Sequence, residues 1–252
     1  MLAHVSRRNT IALSLLAGFA ICLGWNARAQ TTPDYAALLA APDRSDADRN
    51  ADKRRDPLPF LQFAGPRPGM KVLDMGAGGG YSTELMARAV APNGTVYGQN
   101  PPDISDKAKT AFAARLAAPA GKDIVADPAP FDDPVPAGVG NLDLITFLFY
   151  YHDTTYMAVD RPAMNRKLFA ALKPGGFLIM ADHAALPGQG ITVGKTLHRI
   201  EENTERQEIE AAGFKFVAEG NFWHNAADTH DYPSYKADMP VDNFVLKFQK
   251  PN

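Results

Sequence analysis

Two groups of residues have the types and spacing to do chemistry. The first is Asp74-Met75-Gly76-Ala77-Gly78-Gly79-Gly80-Tyr81. Its four glycines let the chain turn sharply and let a ligand approach the backbone. Asp74 sets an acid ahead of the turn, which suits a ligand carrying an ammonium group. The residues beyond read as a helix whose free N–H groups receive a negative group. The pattern is G-x-G-x-G, because Tyr81 stands where the dinucleotide-binding fingerprint needs its last glycine. The second group is His152-Asp153, Asp182-His183 and His198-Arg199. Imidazoles and carboxylates can act as general bases, and a hydrogen-bonded structural role stays open for His152. Arg199 can pair with an anionic substrate or with Glu201 or Glu202. Such residues can also bind a metal, but their spacing matches no standard metal motif and no metal site is expected.

Alternating elements position these groups. Lys71–Met75 reads as a short buried strand, and Ser82–Ala91 as a helix with Leu85, Met86, Ala89 and Val90 on one face. Gly94–Gly98 is a second strand. Ile104, Ala108, Phe112 and Leu116 recur at helical spacing ahead of Pro119. Asp123–Ala126 and Leu142–Leu148 are the third and fourth strands, the latter apolar except for Asp143 and Thr146. Pro162 opens a helix that ends at Lys173-Pro174-Gly175-Gly176. Phe177–Ala181 is the fifth strand. Thr204-x-x-Gln207 reads as a capping box, and Phe214–Phe222 and Phe244–Phe248 alternate like an antiparallel pair. The expected fold is α/β: a three-layer, doubly wound, mostly parallel seven-stranded sheet with a C-terminal antiparallel strand pair. Ligands of such sheets bind at the carboxyl ends of the strands, where both groups fall. The Pro187–Gly190 loop after His183 reads as a candidate lid. The aromatic-rich stretch Trp223–Tyr235, with His224, His230 and Asp231, reads as a pocket cover or a surface insertion.

Val72-Leu73-Asp74-Met75-Gly76-Ala77-Gly78-Gly79-Gly80-Tyr81 resembles the first motif of class I S-adenosylmethionine-dependent methyltransferases, and Leu172-Lys173-Pro174-Gly175-Gly176-Phe177-Leu178 the motif before their fifth strand. The resemblance runs from Pro57 to Lys250. Tyr151-His152-Asp153, Ala181-Asp182-His183, His198-Arg199-Ile200 and Phe244-Val245-Leu246-Lys247-Phe248 are similar to segments of a narrower group of predicted methyltransferases, some of them exported. The resemblance implies S-adenosylmethionine as cofactor, its amino-acid end held by Asp74, Gly76, Ala77, Gly78 and Gly80. At the end of the second strand the family presents an acid to the ribose. Here Asn100 stands there and carries no charge, with Asp103 as a substitute from the next turn. Asp127 matches the acid that receives the adenine amino group. Methyl transfer is an in-line displacement that needs alignment and, for a hydroxyl or protonated amine, a base. The implied catalytic candidates are His152, Asp153 and His183, and the implied substrate contacts are Tyr151, Asp182, His198 and Arg199. Two alternatives stand beside this reading: a non-catalytic binding protein on the same fold, and a metal-dependent enzyme using the His/Asp cluster.

The chain has 252 residues, 46% hydrophobic and 21% charged, with a net charge of −2. That suffices for one domain with a full core and excludes a disordered or fibrous chain. The near-neutral balance argues against nucleic acid and leaves a small molecule as the expected partner. A single cysteine, Cys22, excludes a disulfide framework. Arg7-Arg8, the apolar run Ile11–Trp25 and Ala27-Arg28-Ala29 read as a signal peptide over residues 1–29, removed on export to the periplasm or beyond and leaving no membrane anchor. Residues 30–56 read as an N-terminal arm whose charges form a solvated face, and 57–252 as the methyltransferase-like domain. The methyl acceptor and the oligomeric state are not legible.

Overall fold

In the computed structural model, which describes Met1, residues 31–236 and residues 240–252, the apolar runs become β1 (Lys71–Met75), β2 (Thr95–Asn100), β3 (Ile124–Pro128), β4 (Leu142–Leu148), β5 (Leu172–His183), β6 (Lys215–Glu219) and β7 (Asn243–Gln249). The helices are α1 (Tyr35–Leu39), α2 (Asp46–Arg55), α3 (Pro57–Ala64), α4 (Tyr81–Val90), α5 (Asp106–Leu116), α6 (Arg161–Ala171), α7 (Gly194–Leu197) and α8 (Glu202–Ala211). Several start where a short polar side chain accepts the free N–H of the first turn: Ser45 from Asp48 N, Ser105 from Ala108 N and Asp160 from Ala163 N. The signal-peptide reading, Met1 apart, lies outside the described residues.

The strands form one sheet in the order β3-β2-β1-β4-β5-β7-β6. β1 to β5 run parallel, and β7 lies antiparallel between β5 and β6. The expected α/β architecture is the one found. Neighbouring positions on a strand face opposite layers. Leu73, Phe147 and Leu178 pack with Met164 and Leu168 of α6 and Ile209 of α8. Val72, Leu144 and Ile179 pack with Tyr35, Leu61, Met86 and Phe112 from α1, α3, α4 and α5. The strand order reverses between β1 and β4, so a cleft opens beyond their carboxyl ends.

Three local expectations are corrected. β2 and β3 run further than the sequence implies, so that Gln99, Asn100 and Asp127 lie within strands. The Lys173–Gly176 turn lies inside β5, because Gly175 N–H donates to the Lys250 carbonyl and Lys250 N–H to Gly176, which zips the turn onto the end of β7. The charges of the arm are only in part a solvated face: Asp43, Asp46, Lys53, Arg54 and Arg55 are exposed, but Arg44 and Asp48 are buried. Arg44, 4% exposed, pairs with Asp52 at 2.5 Å, and Asp48, 5% exposed, pairs with Arg115 at 2.7 Å. Arg115 also donates to Glu84 and to the Gly79 carbonyl, and Tyr81 donates to Asp52. Through Arg115 of α5 and the Tyr81 hydroxyl, these contacts fasten α2 to the glycine turn.

Candidate active site

The turn after β1 takes positive φ at Gly76 (60°), Gly78 (57°) and Gly80 (80°). At Gly78 an added Cβ would meet nothing nearer than a backbone oxygen 3.9 Å away, so the apex is an open cradle. At Gly76 it would stand 3.2 Å from the Tyr150 ring, which covers that side. The sequence suggests that Asp74 faces the ligand. The structure places it 1% exposed behind the turn, accepting from Ser82 (2.8 Å), Thr83 (2.7 Å) and Thr146 (2.6 Å). Burial pushes its carboxyl up, against those three bonds. Asp74 therefore anchors the first turn of α4 to β4 and shapes the cradle from behind. The signal was present in the one hydroxyl, Thr146, of a run that is apolar apart from it and Asp143.

The end of β2 supplies the frame of the turn. Gln99, fully buried, accepts from Gly76 N–H at 2.9 Å and donates to the Ala129 carbonyl at 2.6 Å. Asn100 accepts from Gly78 N–H at 2.8 Å and donates back to its carbonyl at 3.1 Å. The resemblance implies a ribose contact for Asn100; here its amide is engaged with the turn. Asp127 is different. Its Oδ2 is buried and, among the described residues, has no hydrogen-bond partner. Burial, with Asp133 adding, pushes its carboxyl up to about 6. An open glycine apex and an orphaned acceptor two strands away fit a ligand with an amino-acid end and an aminopurine.

Beyond β4 the chain makes a left-handed step at Phe149 (φ 59°), secured by its N–H bond to Ala181 at 2.7 Å. Bulky residues rarely adopt this conformation. The step sends Tyr150 over Gly76, Tyr151 into the core and His152 toward β5. Tyr151 is therefore no substrate contact: it is fully buried, donating to Glu208 at 2.6 Å and accepting from Asn165. Asp182, also fully buried, accepts from His152 N–H (2.8 Å), His152 Nδ1 (2.6 Å) and His183 N–H (2.8 Å). It orients His152 and does not face a substrate. His152 Nε2 lies 3.2 Å from Asp153 Oδ1 and 3.3 Å from His198 Nδ1. Burial opposes charge on His152, but Asp182 and Asp153 outweigh it and raise its pKa to about 10. The ring is then an imidazolium with both nitrogens donating, not a free base.

His183 has the opposite character. Asn243 Nδ2 donates to the Val241 carbonyl (3.0 Å), which turns Asn243 Oδ1 toward His183 Nδ1 at 2.6 Å. Nδ1 then carries the proton and Nε2 keeps a lone pair. Burial holds the His183 pKa below its ordinary value, against the pull of Asp182, and Phe149 stacks on the ring at 5.0 Å. Of the two histidines, His183 has the state of a base. Asn243 had no motif to flag it.

Arg199, expected to contact an anion, is fully buried. It donates to Asp228 (2.9 and 3.2 Å) and to the carbonyls of Ala184 (3.0 Å) and Tyr232 (3.1 Å). It clamps the 223–235 stretch onto the end of β5. That stretch borders the site at both ends: Trp223 meets Phe149 at 5.5 Å and Tyr235 meets His198 at 5.0 Å. The 187–190 loop is no free lid, because Glu201 accepts from the N–H groups of Gly188 and Gly190.

A doubly wound sheet with a glycine cradle at its switch point and an antiparallel seventh strand defines the class I methyltransferase fold. Residues 47–228 match the methyltransferase-domain family, and the chain belongs to it. Over 197 residues it is 27% identical to the ubiquinone/menaquinone biosynthesis C-methyltransferase UbiE of Shewanella halifaxensis, across 74% of this chain and 66% of that protein. A stretch of 51 residues is 46% identical to the protein-L-isoaspartate O-methyltransferase of Aeropyrum pernix, 20% of each chain. The match thus spans less than two thirds of these curated relatives. A SAM-dependent methyltransferase from Aquifex aeolicus shares the fold, with a TM-score of 0.57 over 84% of this chain and 96% of that one at 17% identity. S-adenosylmethionine is the methyl donor of this class. Among the described residues no helix is long and apolar enough to cross a membrane.

Proposed function

We propose that this protein transfers a methyl group from S-adenosylmethionine to a small-molecule acceptor at the carboxyl ends of β4 and β5, and that it works after export. The observation that carries the reading is the pairing of the open Gly78 apex after β1 with the orphaned Asp127 oxygen two strands away in β3. The bound cofactor supplies a methyl group on a sulfonium sulfur, which keeps the bonding pair and leaves as S-adenosylhomocysteine. The residues of this chain align and deprotonate. Gly76–Gly80 and Asp127 hold the two ends of the cofactor, Tyr150 closes one side, and His183 Nε2 takes a proton from a hydroxyl or ammonium acceptor. A cavity of about 490 Å³ opens at the same rim and shares Asn243 with His183, a size that suits a small ligand. Arg7-Arg8 with the apolar run behind them and Ala27-Arg28-Ala29 support export.

A saturable rise in melting temperature with S-adenosylhomocysteine tests the cofactor site. At about 100 times Kd the ligand contributes about 2.7 kcal/mol, several degrees for a domain of this size. Gly78→Val forces a β-branched residue to a left-handed φ in the cradle and should abolish the rise, with the ligand-free melt confirming a folded chain. No rise at millimolar ligand would favour a non-catalytic binding protein, the reading that the engaged Asn100 supports.

The Asp127 carboxyl adds a pH dependence. Its folded pKa of about 6 lies above the unfolded value, so its share of stability is full at low pH and is lost as pH rises through 6. A donated amino group stabilises the carboxylate, so affinity for S-adenosylhomocysteine should rise between pH 5 and 7, by up to about tenfold. Calorimetric titration should show the slope, and Asp127→Ala should flatten it.

A further inference from the structure

Three donor atoms converge beside the proposed acceptor position. His152 Nε2 and Asp153 Oδ1 are 3.2 Å apart, His198 Nδ1 and Asp153 Oδ1 3.1 Å, and His152 Nε2 and His198 Nδ1 3.3 Å. These three atoms form a nearly equilateral triangle. Ligand atoms about 2.1 Å from one ion, at angles between octahedral and tetrahedral, stand about 3.0–3.4 Å from one another. Protons cannot serve all three sides. Each imidazole nitrogen carries at most one, so at least one side stays unbridged, whereas a single cation satisfies all three.

The surroundings match as well. His152 is oriented by Nδ1 against Asp182 at 2.6 Å, and Asp182 is held by two backbone N–H groups. A carboxylate behind a ligating imidazole fixes its tautomer and direction. Asp153 also accepts from the Tyr156 hydroxyl. Among the described residues no lysine or arginine pairs with Asp153 or Asp182, so the carboxylates bring two negative charges toward the two rings. The His198 and Asp153 side chains are 32% and 18% exposed while that of His152 is 3% exposed, which leaves an approach from one side.

We propose that His152, Asp153 and His198 form a three-coordinate facial site for a divalent first-row transition ion. Two imidazole nitrogens and one carboxylate oxygen favour zinc, iron, cobalt or manganese over magnesium or calcium. The ion takes the place of the proton on His152 Nε2, and its remaining positions face the approach side, where they accept water or an oxygen-bearing acceptor. The site rests on donor geometry alone and stands whether or not the protein transfers methyl groups.

Cobalt titration of the tag-free, chelator-treated protein at pH 8 tests it, with no cofactor or acceptor present. Saturable visible absorption bands at equimolar cobalt, displaced by zinc, are expected. His198→Ala and Asp153→Asn alter partly exposed side chains and should each weaken binding at least about 100-fold, and Asp182→Asn about 10–100-fold, while His224→Ala leaves it unchanged. Melting curves verify that each variant is folded. Absence of bands at millimolar cobalt, or full binding by folded His198→Ala, overturns the proposal.

Discussion

Arg199→Met should lower stability by about 3–5 kcal/mol, the cost of leaving one partner of a buried ion pair alone. The melting temperature should fall by on the order of 10 °C. The Arg199 and Asp228 side chains are both fully buried, and the guanidinium also serves the Ala184 and Tyr232 carbonyls. Asp228 would keep the N–H donors of His230 (2.9 Å) and Asp242 (2.7 Å) but lose its countercharge. In the wild type those backbone bonds and Arg199 overcome the opposing effect of burial and hold the Asp228 carboxyl down at about 2. The pair's share of stability is thus present above the ordinary aspartate range and is lost as pH falls through about 2. Asp228→Asn alone should destabilise as well. The double variant Arg199→Met/Asp228→Leu should recover part of the loss, because it removes both charges. Urea unfolding of the three variants checks this, and a Tm within a few degrees of wild type for Arg199→Met would refute the clamp.

The case of Arg199 shows where sequence reasoning stops. Period and turn chemistry displayed the layers, because the buried strands are near-continuous apolar runs and glycine and proline punctuate them. The cradle was legible for the same reason: only glycine takes the φ of Gly76, Gly78 and Gly80 without strain. The residues around the reaction fall at the strand ends that the sequence implies, but three of the seven candidates face the other way. Tyr151, Asp182 and Arg199 point inward because a left-handed step at Phe149 and a parallel bridge between Ala184 and Ile200 set the facing of the neighbouring side chains. Neither feature has a sequence signature, since phenylalanine disfavours the first and a lone bridge has no period. Gln99 and Asn243 escape notice because an amide that orients a partner looks, in sequence, like any other strand-end polar residue. The arm misleads through its composition. A charge run reads as solvated throughout, but Arg44 and Asp48 within it are buried, and the partner of Asp48, Arg115, lies 67 positions away.

Glu205→Gln is expected to stabilise the protein, by on the order of 2 kcal/mol at pH 8. Glu205 lies in α8, fully buried, and neither carboxyl oxygen has a hydrogen-bond partner among the described residues. Burial drives its pKa well above the ordinary glutamate value, Asp182 adds to the rise and His152 opposes it. The folded chain therefore keeps the proton while the unfolded chain releases it above about pH 4.3. Stability tied to this group is full below that pH and declines as pH rises toward the folded pKa, by up to about 1.4 kcal/mol per pH unit. Glutamine keeps the shape and cannot ionise, so the gap between variant and wild type should widen from pH 5 to pH 8 in thermal melts. A gap that stays flat with pH would rule out the buried proton as its cause. Glu205 faces the same electrostatic cluster as Asp182 and His152, so a cost to stability sits beside the groups assigned to chemistry, where such costs concentrate in enzymes. The substitution therefore probes the site as well as the fold. Removing the acidic proton beside Asp182 strengthens the fold, and any loss of function in the more stable variant would come from the cluster and not from unfolding.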